Sequence, residues 1–285
     1  MITSPSADVC HLVDAHVHYH APHQVPAFFE SARGNFGRAA AFQAQDRPWL
    51  GYLLLADRFG DDSLAAIRAA HCGAGSDWTW HETQEGISRV ARHGGVPRLV
   101  LVAGRQLQTA EGLEVLALGC AESFADGQPL EACLEFAASH ARWTVLPWGF
   151  GKWWFGRGRV VARLLQAAGA RRRDARCELF LGDNAGRAAS LGQPRMFTRA
   201  RQLGIRILPG SDDLALHMPA TAAGSYGSVL AGPLDLEQPA RHVRRLLHEA
   251  DGQPPVFGGC QASLSRFCRR QLTLTAFRVG HRIPC

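Results

Sequence analysis

Residues 11–23 read HLVDAHVHYHAPH and hold five of the chain's 13 histidines: His11, His16, His18, His20 and His23. Apolar and β-branched residues alternate with polar ones along this stretch, the period of a short strand. Side chains two positions apart on a strand share a face, so His16 and His18 project together. Two neighbouring imidazoles offer two neutral nitrogens to one divalent cation. Asp14, two residues upstream of His16, strengthens the reading as a metal or substrate site. A solvated, histidine-rich arm is the alternative, and the apolar strand around the pair speaks against it.

Further strand-like runs follow at WLGYLLLAD (49–57), PRLVLVAGRQLQT (97–109), LEVLALG (113–119), RWTVLPWGF (142–150), ELFLGDN (178–184) and IRILPGSDD (205–213). Helical patterns separate them: SLAAIRAAH (63–71), ETQEGISRVARHG (82–94), LEACLEFAASHA (130–141), RVVARLLQAAGA (159–170) and PRMFTRARQLG (194–204). Strand alternating with helix implies a mainly parallel sheet with helices outside it. About seven strands in this order predict an α/β fold of the TIM-like (β/α) barrel type, distorted and closed. The whole of 1–285 reads as one domain. Its barrel covers about 11–216, and a C-terminal extension, 217–285, packs on it with helices near 238–250 and 260–277. Neither G-x-G-x-x-G after the first strand nor G-x-x-x-x-G-K-[ST] occurs, so both nucleotide fingerprints are absent.

With 46% hydrophobic residues in 285, the chain can bury a substantial core. No apolar run approaches the roughly 20 residues of a membrane span. The first ten residues lack a basic segment followed by an apolar stretch, so no secretion leader is expected. Eight cysteines without a C-x-x-C pair fit reduced thiols in a cytoplasmic protein. The net charge is +6, and of 31 basic residues only Lys152 is a lysine. The arginines are spread along the sequence. Their densest clusters, GARRRDAR (169–176) and RHVRRLLHE (241–249), read as helix faces or ends, which argues against nucleic acid as a partner.

In a (β/α) barrel the reacting groups lie at the C-terminal ends of the strands. Those ends carry His16 and His18, then Asp57 and Arg58, then Arg105 and Gln106 with Glu111 and Glu114 beyond them. Trp148, Lys152 and Trp153 come next, followed by Asp183, Asn184 and Arg187, and last by Ser211, Asp212 and Asp213. Glycines flank most of these sets.

These motifs resemble those of the PHP (polymerase and histidinol phosphatase) family and, more distantly, of the amidohydrolases. DAHVHYH is similar to the family's opening motif and LPGSDD to its last; LLLADRFGDDSL and VAGRQLQTAEGLEVLALG look like the second and third. The resemblance implies a TIM-like barrel, divalent metals and phosphoester hydrolysis, with His16, His18 and Asp212 as ligands. The chain departs from the pattern at several places. Arg58 stands where the family has a histidine, Gln106 where it has a metal-bridging glutamate, Trp148 near another histidine, and Leu214 after Asp212. A guanidinium cannot coordinate a cation, and an amide is a weaker ligand than a carboxylate.

The expectation is therefore a reduced, mononuclear site: one zinc, manganese or iron ion on His16, His18 and Asp212, with a position open for water. Asp57, Asp183 and Asp212 are the candidate catalytic carboxylates. Arg58, Arg105, Gln106, Trp148 and Lys152 are the candidate substrate contacts, with the cations suited to a small anionic substrate. Arg58 is expected beside the histidines, paired with Asp57, Asp183 or Asp212. The reading is a metal-dependent hydrolase acting on a phosphoester. The alternative is a catalytically decayed relative that binds a ligand or serves as a scaffold.

Overall fold

The computed structural model describes residues 8–20, 25–70, 76–170, 178–188, 190, 192–213 and 222–259. Two mixed sheets form its frame. The first holds β1 (Val9–Val17), β2 (Trp49–Leu55), β3 (Trp78–Glu82), β4 (Ser88–His93), β5 (Val96–Val102), β11 (Tyr226–Gly232) and β12 (Val256–Gly258) in the order β12-β11-β1-β2-β5-β4-β3. The second holds β6 (Gly104–Gln108), β7 (Glu114–Leu118), β8 (Trp143–Pro147), β9 (Leu179–Asn184) and β10 (Ile207–Gly210) in the order β10-β9-β8-β7-β6.

This arrangement corrects the expectation of a TIM-like barrel. The strands are not uniformly parallel, and no continuous ladder closes them. Only β1-β2-β5 and β8-β9-β10 run parallel; β3-β4-β5, β6-β7-β8 and β12-β11-β1 are antiparallel. The strongest local cause is the stretch 82–94, which reads as a helix and folds as the end of β3, a turn and β4. His93 pairs with Val96 across Gly94 and Gly95, whose φ angles are +54° and +79°. Positive φ at both central residues is the two-residue hairpin geometry that glycine adopts freely. The run 97–109 likewise breaks into β5 and β6, which enter different sheets.

Six helices accompany the described strands: α1 (Val25–Gln43), α2 (Ser63–Ala69), α3 (Leu130–His140), α4 (Arg157–Ala170), α5 (Arg195–Gln202) and α6 (Pro239–Glu249). Hydrophobic residues from both sheets, among them Val13, Leu54, Val102, Leu118, Phe180 and Leu208, bury one shared core, to which α6 adds Val243 and Leu246. The outer face of the first sheet packs on α1 through Phe28, Phe29 and Phe36. The outer face of the second covers itself with α3, α4 and α5 through Cys133, Leu165 and Phe197. Fully burying a side chain of this size contributes about 1.5–3 kcal/mol. The segment after 217, read as an extension, supplies β11 and β12 to the first sheet, with β11 directly beside β1. The helix expected at 260–277 lies outside the described residues, as does Leu214. Among the described residues no helix is long and apolar enough to cross a membrane.

The sheets touch edge to edge at two seams. At one, the Asp57 amide donates to the Gly104 carbonyl at 3.0 Å and the Gln106 amide to the Asp57 carbonyl at 2.8 Å. At the other, the Asp212 amide donates to the His16 carbonyl at 2.8 Å. A Cβ on Gly210 would stand 2.4 Å from the His16 nitrogen, so glycine is what lets β10 approach β1 this closely. Both seams lie at the C-terminal ends of β1 and β2.

Candidate metal centre

The strand β1 delivers His16 near its end and His18 one residue beyond it, and both side chains are buried. Asp212 reaches them from the turn after β10. The Nε2 atoms of His16 and His18 each lie 3.6 Å from Asp212 Oδ1, and one donor atom from each residue falls within 4.8 Å of the others. Donors held about 2.1 Å from one ion at tetrahedral angles are about 3.4 Å apart, which the two His–Asp separations approach. Gln106 Oε1 sits 3.2 Å from His16 Nε2, within hydrogen-bond reach of it.

The electrostatics suit the same use. Burial pushes the His16 pKa down to about 4 against the pull of Asp212, so its ring is neutral at pH 7, the form that can ligate a metal. Burial acts upward on Asp212, but His16, His18 and Lys152 outweigh it and hold the carboxyl well below the ordinary range. Asp212 also adopts a left-handed backbone with φ of +46°. Non-glycine residues rarely do so, and such conformations gather at functional sites.

Asp14 has a different role from the one its position suggests. Its carboxylate is fully buried and accepts from three backbone amides: Ser211 at 2.8 Å, Gly224 at 2.8 Å and His16 at 3.2 Å. It thereby ties the β1 end to the turns before Asp212 and before β11. Burial pushes its pKa up to about 7, against the Ser211 hydroxyl and those three amides.

The other expected residues are partly drawn in and partly committed elsewhere. Asp57 is buried and accepts from the Ser63 amide at 2.8 Å and the Ser63 hydroxyl at 2.5 Å, and burial raises its pKa. Arg105 lies 3.9 Å from Asp57 but donates to the carbonyls of Asp61, Ala121 and Glu122, so it clamps two loops. Asp183 is bound by both arms of Arg187, at 3.0 and 2.7 Å, and by the Tyr226 hydroxyl at 2.8 Å, which makes it a structural anchor. Arg58 is exposed, and none of the ion pairs found among the described residues involves it. The expected pairing of Arg58 with Asp57, Asp183 or Asp212 is therefore not formed, because the turn after Asp57 directs it to solvent.

Lys152, half-buried in the loop after β8, forms an ion pair with Glu114 of β7. The charges of Lys152 and Glu114 are both felt at His16. Trp148 and Trp153 pack on the core of the second sheet, which accounts for them without a substrate. Three partners were not legible from sequence: Glu114 for Lys152, Tyr226 for Asp183, and Ser63 for Asp57. Each joins residues from different elements, and no local motif announces it.

No family model and no curated protein matches the chain. Among solved structures it is similar to PsfC from Pseudomonas syringae PB-5123, with a TM-score of 0.50 at 14% identity, covering 95% of this chain and 98% of that one. At this identity the likeness concerns the fold alone.

Proposed function

We propose that the chain is a metal-dependent hydrolase that acts on a small anionic substrate, a phosphoester, at one zinc, manganese or iron ion. The observation that carries this reading is the convergence of His16, His18 and Asp212, with both His–Asp separations close to those around one tetrahedral ion. Such an ion lowers the pKa of a water and polarises a phosphoryl oxygen. His16 and His18 supply neutral nitrogens, Asp212 supplies the anion, and Gln106 holds His16 in place or adds a neutral oxygen. The Lys152 charge lowers the pKa of both His16 and Asp212, and it is suited to hold the substrate's negative charge. The resemblance of the His16–His18 and Asp212 motifs to PHP proteins supports the same chemistry. The buried, unpaired Cys10, Cys120 and Cys133 agree with a reducing, cytoplasmic setting.

The test is hydrolysis of phosphomonoester and phosphodiester model compounds by chelator-stripped protein, with and without added zinc, manganese or iron. Activity should return with metal and vanish in His16→Ala and Asp212→Ala. Metal-independent activity, or full activity in His16→Ala, would overturn the proposal. The commitment of Asp183 and Arg105 to structural contacts favours the second reading, a ligand-binding protein without turnover. A metal-induced rise in melting temperature with no hydrolysis would select it.

A further inference from the structure

We propose that the outer face formed by α4, α5 and the loop before α4 is a binding surface for single-stranded nucleic acid. Read along the sequence, the arginines are dispersed, but the fold brings Arg159, Arg163 and Arg199 to one groove. The helix α4 carries Arg157, Arg159 and Arg163, α5 carries Arg195, Arg199 and Arg201, and neither helix contains an acidic residue.

Arg159, Arg163, Arg195, Arg199 and Arg201 are exposed, and among the described residues none of them lies within 4.0 Å of a carboxylate. Arg199 instead donates to Gln166 at 3.3 Å and Arg201 to Gln193 at 2.6 Å, both neutral partners. Between the helices runs an open groove of about 560 Å³, lined by Arg159, Arg163, Gln166, Arg199 and Ala162. The groove wall is almost wholly apolar, made of arginine stems and Ala162, and its positive charge comes from the guanidinium groups of Arg159, Arg163 and Arg199.

At the N-terminal end of α4 the chain exposes aromatic rings. Phe155 is 93% exposed and Trp154 53%, with Phe150 packed edge-on against Trp154 at 4.9 Å between ring centroids. Phe155 holds a left-handed φ of +55°, a strained conformation for this residue. From Arg157, two residues after Phe155, to Gln166 the axis of α4 rises roughly 14 Å, so the rings stand at the N-terminal end of the helix that forms one wall of the groove. Stacking rings beside a basic groove are the two parts that bind single strands without reading their sequence.

The test is fluorescence anisotropy of a labelled oligothymidylate of about 12 nucleotides, a length within the usual single-strand site size. Three phosphates engaged by Arg159, Arg163 and Arg199 predict a slope near −2 for log K against log salt. The double substitution Arg163→Gln with Arg199→Gln should weaken binding at least about tenfold and bring the slope to about −0.7. Trp154→Ala with Phe155→Ser should weaken binding while leaving the slope unchanged, and should erase the preference for a normal over an abasic strand. All four positions are exposed, so unchanged melting temperatures are the control for folding. Absence of salt-dependent binding, or binding indifferent to the two arginines, would overturn the proposal. Capture by phosphatidylserine vesicles that depends on Trp154, with no affinity for the oligonucleotide, would also overturn it and assign the face to a membrane surface.

Discussion

Replacing Asp14 with alanine removes the acceptor of three buried amides at once, those of His16, Ser211 and Gly224. No other acceptor is needed by the native fold at these positions, because one carboxylate serves all three. An orphaned buried amide costs about 1–3 kcal/mol, so the loss is about 3 kcal/mol at the least and roughly 9 at the most. Set against a typical stability of roughly 5–15 kcal/mol, that is a large fraction. Asp14→Asn keeps one oxygen for the His16 and Ser211 amides and turns an NH2 group toward Gly224, so it should cost about 1–3 kcal/mol. Chemical denaturation of the three proteins at neutral pH, extrapolated to water, gives both differences. An alanine variant within about 1 kcal/mol of wild type would refute the reasoning, as would an asparagine variant no better than alanine.

Gly210→Ala should lower the melting temperature and weaken cation binding together, because its Cβ would collide with the His16 backbone at 2.4 Å. Arg187→Ala should cost about 3–5 kcal/mol in denaturation, since it leaves the buried Asp183 carboxylate without its cation. His11 provides the pH-dependent case. Burial lowers its pKa from 6.5 to about 4, so the fold favours the neutral ring. That contribution is whole above pH 6.5 and drains away as pH falls through 4. The stability advantage of wild type over His11→Gln should therefore shrink by up to about 3 kcal/mol between pH 7 and 4, measured by denaturation at each pH; a constant difference would refute it.

What was legible in the sequence is what local pattern controls. The strand from Val9 to Val17 follows from alternation around His11–Val17, and α3, α4 and α5 follow from their helical spacing. The pairing of His16 and His18 with Asp212 could be anticipated because both ends carry compact motifs. The closed barrel could not survive, because strand direction is set by turns: Gly94–Gly95 makes a hairpin where the residues before it have a helical period. The helix α1 was not anticipated from the pattern around it. Arg58 was placed by motif alignment alone, and one turn of backbone sends it to solvent. The arginine face is invisible in one dimension because α4 and α5 are separated by β9 and brought together only by packing on the second sheet.

The central claim is that His16, His18 and Asp212 form one cation site. Calorimetric titration of zinc or manganese into chelator-stripped protein tests it most directly. The account predicts one equivalent per chain in the wild type, lost in His16→Ala, His18→Ala and Asp212→Ala and kept in Arg58→Ala. No stoichiometric binding in the wild type, or binding that survives all three ligand substitutions, would contradict it.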